Sequence, residues 1–131
     1  MIIPNASERF VIDSSGWIEY MGNGPKASTF ATYLESQAIL LLPSVVVYEV
    51  HKKLYREQGK GLADEFVSHA FAAGDRLIPL TLSLSIWASK ISLEDRLPMA
   101  DAIIYATAFH HNAQLITSDN HFSNLPGVTV V

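Results

Sequence analysis

The chain has 131 residues, of which 49% are hydrophobic and only 17% charged, with a formal net charge of -4. One domain spanning 1–131 with a packed core is expected, and a disordered chain is excluded. The acidic balance argues against passive nucleic-acid binding, which needs a cationic surface, but not against chemistry in which bound cations supply the positive charge.

Phe10-Val11-Ile12 reads as a buried strand that stops at Asp13-Ser14-Ser15-Gly16. A short helix follows through Trp17, Ile18 and Met21, broken by Gly22-Asn23-Gly24-Pro25. Phe30, Tyr33 and Leu34 have helical spacing, predicting a second helix over about 26–37. Residues 38–42 read as a second buried strand, closed by Pro43. Ser44 can cap a helix over about 45–58, with Val46, Val47, Val50 and Leu54 on its apolar side and Gly59 at its end.

Leu62, Phe66, Val67 and Ala70 mark another helix, stopped by Gly74. Residues 77–80 form a short strand, which Pro79 places at a sheet edge. Leu84, Trp87, Ala88 and Ile91 mark a helix, and another runs from near Pro98 to about Asn112. Gln114 to Thr117 is a third core strand ending at Ser118-Asp119, and Val128 to Val131 is a last one. Continuously apolar strands alternating with helices predict a mainly parallel sheet covered on both faces.

The longest apolar run, around residues 39–48, is interrupted by Pro43 and is too short to span a bilayer. The N-terminus meets Glu8 and Arg9 before any long apolar stretch and does not read as a signal peptide. With no cysteine, a soluble cytoplasmic protein without a membrane partner is the expectation.

Asp13 and Asp119 each follow a core strand, at the edge of a parallel sheet where ligand sites form. Glu49 lies in the second turn of a helix that starts at that edge. Asp101 lies in the first turn of the helix that leads back to the strand ending at Asp119. In a simple alternation its start is expected at the opposite edge, so Asp101 reaches the others only if 82–94 and Pro98 turn the chain.

Each acid also has a local use. Asp13 suits a helix cap, and Glu49 an ion pair with Lys53. Asp101 suits a helix dipole, and Asp119 a turn. Against this, Glu49 and Asp101 sit among apolar neighbours, where charges are rare unless paired or metal-bound.

Four segments resemble the motifs of PIN-domain nucleases in order and approximate spacing. They are Phe10-Val11-Ile12-Asp13-Ser14-Ser15, Pro43-Ser44-Val45-Val46-Val47-Tyr48-Glu49, Leu97-Pro98-Met99-Ala100-Asp101-Ala102 and Leu115-Ile116-Thr117-Ser118-Asp119. Stand-alone chains of this length are similar to VapC-like toxins of toxin–antitoxin pairs.

The resemblance implies a three-layer α/β/α fold with a central, mainly parallel sheet of four to five strands. It implies endoribonuclease activity on RNA, with metal-binding and catalytic roles for Asp13, Glu49, Asp101 and Asp119 and supporting hydroxyls at Ser14 and Thr117. An antitoxin partner and a homodimer are implied as well. The family fold brings the third-motif acid to the sheet edge, which answers the objection about Asp101. Thr117 has an independent argument, since two residues apart in an extended strand it and Asp119 face one side.

Carboxylate oxygens suit hard cations, so the expected cofactor is Mg²⁺ or Mn²⁺. Asp13, Asp101 and Asp119 are expected to hold one ion most directly, while Glu49 completes a second or holds a water. His51, Lys52, Lys53, Arg56 and Lys60 follow Glu49, and all but His51 form one broad helical face. Lys52, Lys53 and Arg56 are candidate phosphate contacts, or a solvated face.

His110-His111 reads as a helix end, and His121, near Asp119, reads as a loop histidine or a substrate contact. The apolar residues of the second and third helices suit core or partner surface equally.

Competing readings are a phosphatase or receiver domain, or a non-catalytic PIN-like RNA- or protein-binding module. The first wants a second acid near Asp13, where Ser15 stands, or a late lysine, and none follows residue 90. The last is disfavoured because all four motif positions carry an acid.

Overall fold

Val11 and Ile12, on the strand β1 (Arg9–Ile12), are almost completely buried. β1 pairs in parallel on one side with β2 (Ile39–Pro43) and on the other with β4 (Gln114–Thr117). Val11 therefore stands between Leu41 and Leu115. A strand with both edges paired and both faces covered needs apolar side chains in succession, which is why these runs do not alternate.

The computed structural model describes residues 3–131. Its five-stranded sheet has the order β3-β2-β1-β4-β5, and every pairing is parallel. The edges are β3 (Leu77–Ile78) and β5 (Val128–Val130). β3 is shorter than the expected 77–80, because Pro79 offers no N–H to a ladder.

Six helices complete a three-layer α/β/α fold. α1 (Ser14–Met21) follows β1 directly and leads to α2 (Ala27–Leu34), shorter than expected. Gly16 allows α1 to approach the sheet. A Cβ there would lie 2.5 Å from the Phe30 ring and 2.6 Å from Ile12.

α3 (Ser44–Gln58) begins as β2 ends and buries Val46, Val50 and Leu54 along one stripe. Gly59, at φ 97°, then breaks the helix, and α4 (Lys60–Ala73) starts afresh. Lys60 is therefore not on the α3 face that the sequence suggested, and it pairs with Asp64 one turn along α4 at 2.6 Å. Trp17 packs edge-on to Phe66 of α4, with ring centroids 5.3 Å apart. Phe30 and the α3 stripe are core rather than partner surface.

α5 (Leu82–Asp95) packs against α6 (Met99–His110), with Leu84, Ala88 and Ile91 buried. The direction of α6 corrects the expectation for Asp101. Residues 111–113 turn the chain tightly into β4, so α6 runs against that strand. Arg9 Nε donates to His111 O at 2.9 Å, which ties the end of α6 to the start of β1. The first turn of α6 thus lies at the edge where the strands end. The chain also turns just before Pro98, where Arg96 ends α5 in the left-handed region at φ 55°. No helix among the described residues is long and apolar enough to cross a membrane.

Candidate metal centre

Asp13 is the first residue past β1, and its N–H donates to Ile116 O of the neighbouring strand at 2.9 Å. Its backbone caps α1, but its side chain makes no capping hydrogen bond. Instead Oδ2 accepts from Thr117 Oγ1 at 2.7 Å and from Ser15 Oγ at 3.1 Å. Thr117 Oγ1 in turn accepts the Asp119 N–H at 2.9 Å, and Ser15 Oγ accepts the Ser118 N–H at 3.2 Å. The ends of β1 and β4 are thereby clamped through two hydroxyls. Ser15 was not foreseen as part of this arrangement. Ser14 Oγ reaches Asp13 Oδ1 only at 3.5 Å and lines the adjoining cleft.

Glu49, half-buried in the second turn of α3, does not pair with Lys53. Its Oε1 is buried and has no hydrogen-bond partner. Asp119 serves its turn, since Oδ1 accepts the His121 N–H at 2.8 Å. That turn (Asn120–Phe122) sets the exposed His121 beside the acids, with its Nδ1 3.2 Å from both Asp101 Oδ2 and Asp119 Oδ1. His121 is therefore a site residue. Its spacing of two from Asp119 was the available signal, but nothing in the sequence fixes where such a loop side chain points. His111, by contrast, is structural as expected, with Nδ1 2.8 Å from Thr107 O.

All four acids line one cleft of about 370 Å³, together with Lys52, Lys53 and Arg56. A larger hollow of about 540 Å³, lined by Arg9, Asn112 and Gln114, contains none of the four.

The electrostatics follow from this crowding. Burial pushes the Asp13 carboxyl above the usual carboxylate range, aided by Asp119 and opposed by the hydrogen bonds from Thr117, Ser14 and Ser15. Burial raises Glu49 too, the Ser14 side chain opposes it by hydrogen bonding, and the charges of Asp13, Asp101 and Asp119 add to the rise. Asp101 is raised by burial and then by Asp119 and Asp13, with His121 opposing. Like charges gathered in a half-buried cleft disfavour one another unless a cation joins them.

The donors fit a hard divalent ion. Asp101, Asp119 and His121 offer ligand atoms that all lie within 4.8 Å of one another. The orphaned Glu49 oxygen adds an acceptor that no protein group satisfies.

A family model, the PIN domain, matches residues 10–128. The chain belongs to the PIN domain family.

Solved structures with the same fold include a toxin–antitoxin complex from Klebsiella pneumoniae. It shows 19% identity and a TM-score of 0.70, covering 92% of this chain and 95% of that one. VapC20 of Mycobacterium tuberculosis, a sarcin-ricin loop cleaving toxin, shows 20% identity and a TM-score of 0.71, covering 92% and 98%. VapBC2 from Rickettsia felis, bound to a DNA fragment from its promoter, shows 15% identity and a TM-score of 0.68, covering 94% and 97%. Comparison with curated proteins gives no match.

Proposed function

We propose that this PIN domain is a Mg²⁺- or Mn²⁺-dependent endoribonuclease and the toxin of a toxin–antitoxin pair. The observation that carries the reading is the buried, unpartnered Glu49 Oε1 in a cleft that also holds Asp13, Asp101 and Asp119. A purely structural carboxylate would have a cation or an N–H beside it.

Asp101 and Asp119 would hold the ion, with Asp13 and Glu49 lining the same cleft. Thr117 and Ser15 fix the Asp13 carboxylate, and Ser14 supports the cleft wall. A bound divalent ion supplies Lewis-acid stabilisation of a phosphodiester and lowers the pKa of a coordinated water. Lys52, Lys53 and Arg56 sit where phosphates flanking the scissile bond would meet them, offsetting the acids' repulsion.

The toxin assignment draws on the toxin–antitoxin complexes among the structures of like fold. An antitoxin and a second copy of the chain are its protein partners. Exposed Leu82, Ile86, Leu93 and Met99, on α5 and the start of α6, offer apolar surface for them.

Incubating the purified chain with RNA and Mg²⁺ or Mn²⁺ tests the reading. Defined cleavage ends that a chelator abolishes support it. Intact RNA under every metal condition removes it.

A further inference from the structure

The face of α3 that continues outward from the acid cleft carries aromatic side chains as well as cations. Val46, Val50 and Leu54 turn one stripe of the helix to the core, which leaves Tyr48, Lys52, Tyr55 and Arg56 pointing away. Tyr48 is 63% exposed and Tyr55 55% exposed. Seven residues apart, they lie within about 20° of each other around the helix and about 10 Å apart along it. His51 stands beside Tyr55, ring centroids 5.9 Å apart, and the Lys52 ammonium lies 5.5 Å from the Tyr48 ring centre.

These residues line a shallow hollow of about 470 Å³ that shares Tyr48, Lys52 and Arg56 with the acid cleft. The hollow and the cleft are thus one continuous surface.

Charge selects the occupant. Three of the chain's nine Lys and Arg residues, Lys52, Lys53 and Arg56, lie on this part of α3, although the net charge is -4. Arg56 pairs with Glu57 in an exposed salt bridge at 2.8 Å. Lys52 and Lys53 make no salt bridge among the described residues. Cations alternating with exposed flat rings are the combination that holds a single strand, with phosphates on the cations and bases on the ring faces. A duplex keeps its bases stacked inside and has none to offer such rings.

We propose that Tyr48 and Tyr55, with His51 between them, form a base-stacking platform for unpaired RNA on one side of the scissile bond. Lys52 and Arg56 hold the phosphates of that stretch. The platform rests on the RNA-cleaving reading and adds to it a requirement for single-stranded substrate at this end of the cleft. A protein partner on the same rings is the rival occupant, and the cations around them favour RNA.

The test is fluorescence anisotropy with the full chain carrying Asp101→Asn, so that RNA stays intact. The probes are a labelled single-stranded 12-mer and a blunt duplex of the same length. The platform predicts tighter binding of the single strand. Tyr48→Ala and Tyr55→Ala each weaken that binding by about tenfold, with the slope of log affinity against log salt unchanged.

Tyr48→Phe and Tyr55→Phe retain the affinity, which separates stacking from a missing hydroxyl or a folding defect. Alanine variants that bind the single strand as tightly as their parent overturn the platform, as does equal affinity for the duplex. Alanine variants that keep RNA affinity but change oligomeric state in light scattering overturn it in favour of a protein surface. Absence of RNA cleavage by the wild-type chain brings down the nuclease reading itself. Cleavage by the wild type with indifferent tyrosine variants removes only the platform.

Discussion

Thr117 Oγ1 donates to Asp13 Oδ2 at 2.7 Å while accepting the Asp119 N–H at 2.9 Å, so one fully buried hydroxyl ties together the acids at the ends of two adjacent strands. Thr117→Val keeps the shape and removes both bonds. It is expected to cost about 1–3 kcal/mol of stability, because a buried carboxylate loses its donor and an N–H its acceptor. RNA cleavage should fall with it. Thr117→Ser should restore most of both. Denaturant unfolding and a cleavage assay on the same samples check this, and an indifferent Thr117→Val contradicts the clamp.

The metal-free protein should be destabilised by its own cleft. Asp13, Glu49 and Asp101 have folded-state pKa values above their ordinary ones. Their contribution to stability is therefore fully present below the ordinary carboxylate range and is lost as pH rises through the raised values. In chelator, Glu49→Gln should lose less of its melting temperature than the wild type between mildly acidic and neutral pH. Added Mn²⁺ or Mg²⁺ should raise the wild-type melting temperature and raise that of Glu49→Gln by less. Parallel curves for the two proteins, with or without metal, count against the crowded-acid account.

His121 Nδ1 stands 3.2 Å from a carboxylate oxygen of each of two acids, close enough to share an ion with them. Imidazole nitrogen suits Mn²⁺ better than Mg²⁺. His121→Asn should therefore weaken Mn²⁺ binding by about tenfold and Mg²⁺ binding by less. Isothermal titration with each ion reads this out. An unchanged preference assigns His121 to holding the carboxylates in place instead.

Lys52 and Lys53 lie beside the acids without ion-pair partners among the described residues. Reversing both charges to Glu should weaken RNA binding. It should also lower the salt slope by about 0.7 for every phosphate of a single strand that is no longer neutralised. An unchanged slope removes these lysines from the substrate path.

The parts of this architecture that were legible in the sequence are those set by local chemistry. Apolar runs that stop at Asp13 and at Ser118-Asp119 mark the ends of β1 and β4, two of the five parallel strands. Gly59 marked the end of α3, but not that α4 would restart at once and carry Lys60 to a different partner.

The edge occupied by Asp101 follows from the short link between a helix ending near Asn112 and a strand starting at Gln114, because a helix that turns tightly into a strand runs against it and starts where that strand ends. His121 depends on one turn after Asp119, and Ser15 on a contact between residues about a hundred positions apart. Glu49 had the right neighbours for a site residue. Only its surroundings in three dimensions show that Lys53 does not neutralise it and that Oε1 is left without a partner.

If the acids of this cleft act on RNA through a divalent ion, Asp101 is the side chain whose loss should abolish the reaction. Asp101→Asn is nearly isosteric and removes one charge from the cluster that includes Asp119 and His121. RNA cleavage in saturating Mg²⁺ or Mn²⁺, compared with wild type at matched folded content by circular dichroism, is the deciding measurement. The expected loss is on the order of a hundredfold or more. Cleavage by the folded variant at the wild-type rate would contradict it.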